Sequence, residues 1–163
     1  MTAISVDVSI DSALWDAVPQ VETVICGAIE TAADVMRALA RASGEVSVVL
    51  TDDARIRVLN REWRDIDKPT NVLSFPAPGG RSGAEAALLG DVVIAYETTA
   101  REAAAEAKPF AHHVTHLAVH GFLHLLGYDH QSDAEADEME RLESKILALL
   151  AVPDPYRSKQ PEA

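Results

Sequence analysis

The sequence has a single cysteine, Cys26. No intrachain disulfide can form, which suits a reducing compartment, and Cys26 reads as a small apolar packing residue. Positive charge is also scarce. Fourteen Lys and Arg stand against 26 Asp and Glu, a formal net charge of −12. Such a surface does not adhere broadly to nucleic acid or anionic membrane, although a local basic site remains compatible with it. No apolar run reaches the roughly 20 residues of a membrane-spanning helix. The N-terminus lacks the basic start and apolar core of a secretory leader. A cytoplasmic protein is therefore expected. Internal repeats and a clear interdomain linker are absent too.

What is present fits one globular domain. Hydrophobic residues make up 48% and charged residues 25% of 163 positions, enough chain for one sizeable core. Ile4, Val6, Val8 and Ile10 alternate with polar residues, predicting a half-buried strand. A helix is expected from about Pro19 to Arg41, with Val21, Ile25, Ala28, Ile29, Ala32 and Met36 on its apolar stripe and Ser43-Gly44 as its stop. Glu45 to Leu50 reads as a second strand, and Thr51 or Asp52 can cap the helix after it. Asn71 to Phe75 predicts a short strand stopped by Pro76, residues 76–87 a loop, and Leu88 to Ala95 a buried strand. Helices are expected over Glu97 to Lys108, Phe110 to Leu126 and Asp133 to Leu150. The order predicts a small α+β domain, with a mixed four-stranded sheet and about five helices. The domain spans residues 1–152, and a polar tail, 153–163, is expected to fray.

The stretch His116 to His130 carries the chemistry. His120, His124 and His130 form the pattern H-x3-H-x5-H. Residues four apart share a helix face, so His120 and His124 can aim two imidazoles at one point. Gly127 supplies the left-handed position that ends many helices. The chain can then turn back and bring His130 to the same point. Three imidazoles with an open fourth position describe a catalytic Zn²⁺ site on a helix-turn. Zinc proteases of the H-E-x-x-H kind carry a glutamate base directly after the first His. Here that position is Gly121, so the metal scaffold is present and the peptidase base is absent. His116, one turn before His120, is a candidate outer contact. His112 and His113 read as exposed. Asp129 reads as a residue that orients a ligand or braces the turn. Ser74 and Asp91 could reach the site, with turn and sheet-end roles the preferred reading.

A second concentration stands out in so acidic a chain. Arg55, Arg57, Arg61, Arg64 and Lys68 are five of its fourteen basic residues. A solvated helix face accounts for Arg55 and Arg57.

Three stretches together resemble the YbeY family of bacterial endoribonucleases: LNREWRDIDKPTNVLSFP at 59–76, LGDVVIA at 89–95 and HGFLHLLGYDH at 120–130. The resemblance implies a single-domain α+β metalloprotein with zinc on His120, His124 and His130, and a functional arginine at Arg64. It implies cleavage of single-stranded RNA, maturation of the 3′ end of 16S rRNA, and late 70S ribosome quality control. The implied partners are rRNA, the ribosome and ribosomal or ribosome-assembly proteins, with no DNA and no membrane. Arg64 then fits as the group that grips the scissile phosphate, since its planar fork can make the bidentate contact that Lys cannot. Two other readings stand beside this one. The first is a metal-dependent hydrolase of peptides or small molecules, and the second a non-catalytic ribosome-associated metal protein.

Overall fold

The computed structural model describes residues 3–37, 43–77, 88–129 and 131–156. Strand β1 (Ala3–Ile10) lies parallel to β2 (Ser43–Thr51), and β2 parallel to β4 (Leu88–Ala95). Strand β3 (Val72–Pro76) runs antiparallel to β4 at the sheet edge, giving the order β1-β2-β4-β3. Helices α1 (Val21–Arg37), α2 (Asp53–Arg64), α3 (Tyr96–Ala105), α4 (Phe110–Leu125) and α5 (Asp133–Leu149) complete the fold. The expected α+β class, mixed sheet and five helices are all present.

Period-two alternation divides the sheet between two layers. Val46, Val48, Leu50, Val92 and Ile94 face the main core, which α1, α4 and α5 complete with Ile25, Ile29, Met36, Phe122, Met139 and Ile146. Val93, Leu73 and Ala95 face the other way and pack with Ile56 of α2. Each large apolar side chain so buried contributes about 1.5–3 kcal/mol before ordering costs. Helix α4 is apolar on most of its circumference, which makes it the central helix of the main layer.

Several boundaries differ from the sequence-based expectation. Helix α1 starts at Val21, and Pro19 lies in the turn before it. The expected end of that helix falls at residues outside the described set, and Ser43 and Gly44 already belong to β2. Pro76 lies within β3, opposite Gly90. That is tolerated because an edge strand leaves some N–H groups unused. Helix α3 closes at Ala105, and Ala107 takes a left-handed φ of 54°. The Asp52 cap is as expected, its side chain accepting from the Arg55 amide at 2.9 Å.

Two tryptophans mark opposite environments. Trp15, on a short 3-10 turn (Ala13–Ala17), is 1% exposed. It donates from Nε1 to the Thr51 carbonyl at 2.9 Å and packs edge-on against Tyr96. Trp63, on α2, is 66% exposed and stands edge-on to Phe75.

Candidate functional site

The C-terminal end of α4 sets the site. Gly127 has φ 104°. Its amide donates to the His124 carbonyl at 3.0 Å, and the Tyr128 amide to the Leu123 carbonyl at 3.1 Å. This paired pattern is a Schellman closure, which satisfies the last carbonyls while the chain reverses. It places His124 on the final turn, with His120 one turn earlier.

The two rings meet. His120 Nε2 and His124 Nε2 are 3.1 Å apart. Two nitrogens held at about 2.0–2.1 Å on one tetrahedral zinc would lie about 3.3 Å apart, so the pair has the spacing of two ligands. The other nitrogen of His120, Nδ1, lies 2.6 Å from Oε2 of Glu143. Oε1 of the same carboxylate lies 2.8 Å from His116 Nε2, and the Tyr156 hydroxyl donates to it. Glu143 is completely buried. Burial alone would raise its carboxyl, but the hydrogen bonds from His116 and His120 prevail and hold it at about 2. Burial and the Glu143 carboxylate push Tyr156 well above the ordinary phenol range.

His116, His120 and Glu143 also form a compact group that could hold a metal ion, with one ligand atom from each within 4.8 Å of the others. Their contacts at 2.6–2.8 Å are charge-assisted hydrogen-bond lengths. They are shorter than the spacing of two ligands around one ion. The His120–His124 separation of 3.1 Å lies nearer that spacing, with Glu143 behind His120.

A cavity of about 580 Å³ opens in front of these rings, lined by His120, His124, Ser74, Asp129 and Arg64. Arg64 Nη2 donates to the Ser74 carbonyl at 2.8 Å, and its guanidinium lies 5.4 Å from the centre of the Phe75 ring. The other α2 arginines are engaged elsewhere: Arg55 with Asp11, and Arg57 and Arg61 with Asp67. Among the described residues no carboxylate forms an ion pair with Arg64. Ser74 Oγ donates to the Gly121 carbonyl at 3.1 Å, tying β3 to α4.

Residues 10–151 match the sequence profile of the family described as Endoribonuclease YbeY. The chain belongs to the endoribonuclease YbeY family. A relative of that name from Bradyrhizobium sp. (strain BTAi1) is 57% identical over 158 residues, covering 94% of this chain and 93% of its own. Another, from Rhodopseudomonas palustris (strain BisB18), is 58% identical over 145 residues, covering 87% and 86%. The solution structure of TM1509 from Thermotoga maritima aligns with a TM-score of 0.53 at 17% identity, over 96% of this chain and 97% of that one. This last likeness bears on the fold alone.

Two of the three YbeY-like stretches line the cavity: residues 59–76 contribute Arg64 and β3, and 120–129 form its histidine wall, while residues 89–95 lie in β4, paired with β3. His130 lies outside the described residues. Gly121 has a packing reason: a Cβ there would stand 2.7 Å from Val92 Cγ1 and 3.1 Å from Ser74 Oγ. No glutamate base fits at that position.

Three sequence expectations need correction. His113 is buried, not exposed, and its Nε2 lies 2.8 Å from Glu102; His112 is half-buried. Packing of α3 against α4 covers His113, and His112 keeps only part of a solvent face. Ser74 is more than a turn residue, since it joins strand to helix in the cavity wall. The tail does not fray through its first residues. Asp154 accepts from Ser144 Oγ and from the Tyr156 amide, both at 2.9 Å. Sequence reading also missed Glu143 and Tyr156. The signal for Glu143 was a carboxylate on the apolar face, four residues after Met139 and three before Ile146.

Proposed function

We propose that this chain is a metal-dependent endoribonuclease that cuts single-stranded RNA. In this reading His120, His124 and His130 hold Zn²⁺, and Arg64 grips the scissile phosphate. The observation that carries it is the pair of Nε2 atoms 3.1 Å apart in the cavity that Arg64 also lines. The donor set suits zinc, because imidazole nitrogens are common ligands and a carboxylate behind one of them is a frequent support. Bound there, the ion would supply Lewis-acid polarisation of a phosphoryl oxygen and a water of lowered pKa, about 7.

The chain's own residues then divide the remaining work. Arg64 commits Nη2 to the Ser74 carbonyl, which fixes the plane of the guanidinium. Its other N–H groups can meet phosphate oxygens as a fork. Charge builds on those oxygens as the bond breaks, so a cation already in place is worth more than one that must move. The Ser74–Gly121 bond keeps the arginine-bearing wall in register with the histidine wall. RNA as substrate is supported by the relatives' name, Endoribonuclease YbeY. The resemblance extends the proposal to 3′-end maturation of 16S rRNA and late 70S quality control, with ribosomal proteins as partners, in the cytoplasm. Among the described residues no helix is long and apolar enough to cross a membrane.

The test compares wild type, His124→Ala and Arg64→Ala for bound zinc and for cutting of a single-stranded RNA. His124→Ala should lose both metal and cutting, and Arg64→Ala should keep metal and lose cutting. Cutting by Arg64→Ala at the wild-type rate would overturn the arginine's role. Retention of zinc by His124→Ala would overturn the ligand set. A casein assay run beside it separates the peptidase reading, which Gly121 already disfavours.

A further inference from the structure

A single carboxylate stands behind the histidine wall with both oxygens committed. Glu143 is 0% exposed and reaches two successive turns of α4: Oε1 to His116 Nε2 at 2.8 Å and Oε2 to His120 Nδ1 at 2.6 Å. A third donor, the Tyr156 hydroxyl, completes it from the tail, and Tyr156 lies 3.3 Å from His116 Nε2 as well. The tail is itself anchored: Asp154 bridges Ser144 on α5 and the Tyr156 amide. Tail and helix thus close around one buried acid.

We infer that Glu143, braced by Tyr156, is a positioning residue that fixes the proton of His120 on Nδ1 and so keeps Nε2 as the lone-pair nitrogen facing His124. The inference rests on the metal reading above. An ionised carboxylate can only accept, so both histidines must present N–H to it. For the neutral ring that can ligate a metal, that leaves one tautomer of His120, with the Nε2 lone pair turned to the partner ring. Burial makes this arrangement strict, because no water replaces a missing donor. Arrangements of this kind raise metal affinity by 10- to 100-fold in general. Residues 153–156 become part of the metal site without touching the metal.

The experiment uses the full-length chain. In metal-free protein, ¹⁵N-resolved imidazole spectra should show His120 protonated at Nδ1. Glu143→Gln offers one acceptor and one donor where the carboxylate offers two acceptors, so the tautomer of His116 or His120 must invert. Zinc affinity, measured by competition with a chromophoric chelator, should fall about 10- to 100-fold in Glu143→Gln. It should fall less, but in the same direction, in Tyr156→Phe, a change small enough to leave folding intact. Co²⁺ bound to Glu143→Gln should keep the wild-type absorption envelope, because no ligand has been removed.

His120 protonated at Nε2 in the wild type overturns the inference, as does wild-type zinc affinity in both variants. A changed cobalt envelope in Glu143→Gln makes the glutamate a ligand and overturns it too. Wild-type protein that binds zinc but leaves RNA uncut would refute the proposed function and leave this inference standing. If wild type bound no zinc, the function would fail, and the tautomer spectra of the metal-free chain would still decide the role of Glu143.

Discussion

Ser74 donates from its hydroxyl to the Gly121 carbonyl at 3.1 Å, and the same Ser74 receives Arg64 on its own carbonyl at 2.8 Å. One residue of the edge strand therefore sets the separation between the arginine and the histidine-bearing helix. That separation depends on Gly121 having no side chain.

Gly121→Ala should be destabilising by about 1–3 kcal/mol, the usual cost of overpacking a dense interior. The added Cβ would meet a β-branched side chain, Val92, at 2.7 Å, and the Ser74 hydroxyl at 3.1 Å. Urea denaturation checks the number. Gly121→Glu should unfold more easily still and show no gain in casein hydrolysis.

Arg64→Lys should lower kcat/KM on single-stranded RNA at least tenfold, about 1.4 kcal/mol of transition-state stabilisation. An ammonium cannot hold the Ser74 carbonyl and fork a phosphate together. Arg57→Ala should stay within about twofold of wild type, because Arg57 is exposed and already pairs with Asp67. Steady-state kinetics on one oligonucleotide compares both variants. Equal losses would mean that charge near the cavity, rather than the geometry of Arg64, is what counts.

Metal-free protein should lose stability in acid through Glu143. Its carboxyl is depressed from 4.5 to about 2 in the folded chain. A depressed acid stabilises fully above its unfolded value, and that contribution disappears as pH falls from about 4.5 towards 2. Its size is about 3 kcal/mol. Chemical denaturation between pH 6 and roughly pH 2 should show this loss, and Glu143→Gln should flatten it.

Cleavage should weaken as salt rises. The chain carries −12 overall, so attraction for RNA has to come from the few cations at the cavity. Contacts to phosphate release counterions, and the logarithm of affinity falls with the logarithm of salt by about 0.7 per contact on single strands. A shallow slope, from about one to three contacts, is expected in oligonucleotide titrations. A flat line would argue that phosphate contacts contribute nothing.

Much of this architecture was legible in the residues. The His120–His124 spacing and Gly127 foretold both the facing rings and the helix stop, because each is a local property of α4. Strand β4 was legible from the apolar run Val92 to Ala95 after Gly90-Asp91, since that half of the strand is buried on both faces. Glu143 and Tyr156 were not, because their roles depend on α5 packing against α4, and no local pattern specifies which helices meet. His113 misled for the same reason: its neighbour Glu102 arrives from α3. Pro19 and Pro76 shifted boundaries by a residue or two, where chain ends respond to neighbouring strands as much as to their own propensity.

The chain's two tryptophans give it separable optical reporters. Trp15, sealed beside Tyr96 and Phe110, should emit at short wavelength and resist acrylamide, following the integrity of the interior. Trp63, open to solvent and one residue from Arg64, should emit further to the red and quench readily. Denaturation and events at the cavity rim can thus be followed in one sample without attaching a dye.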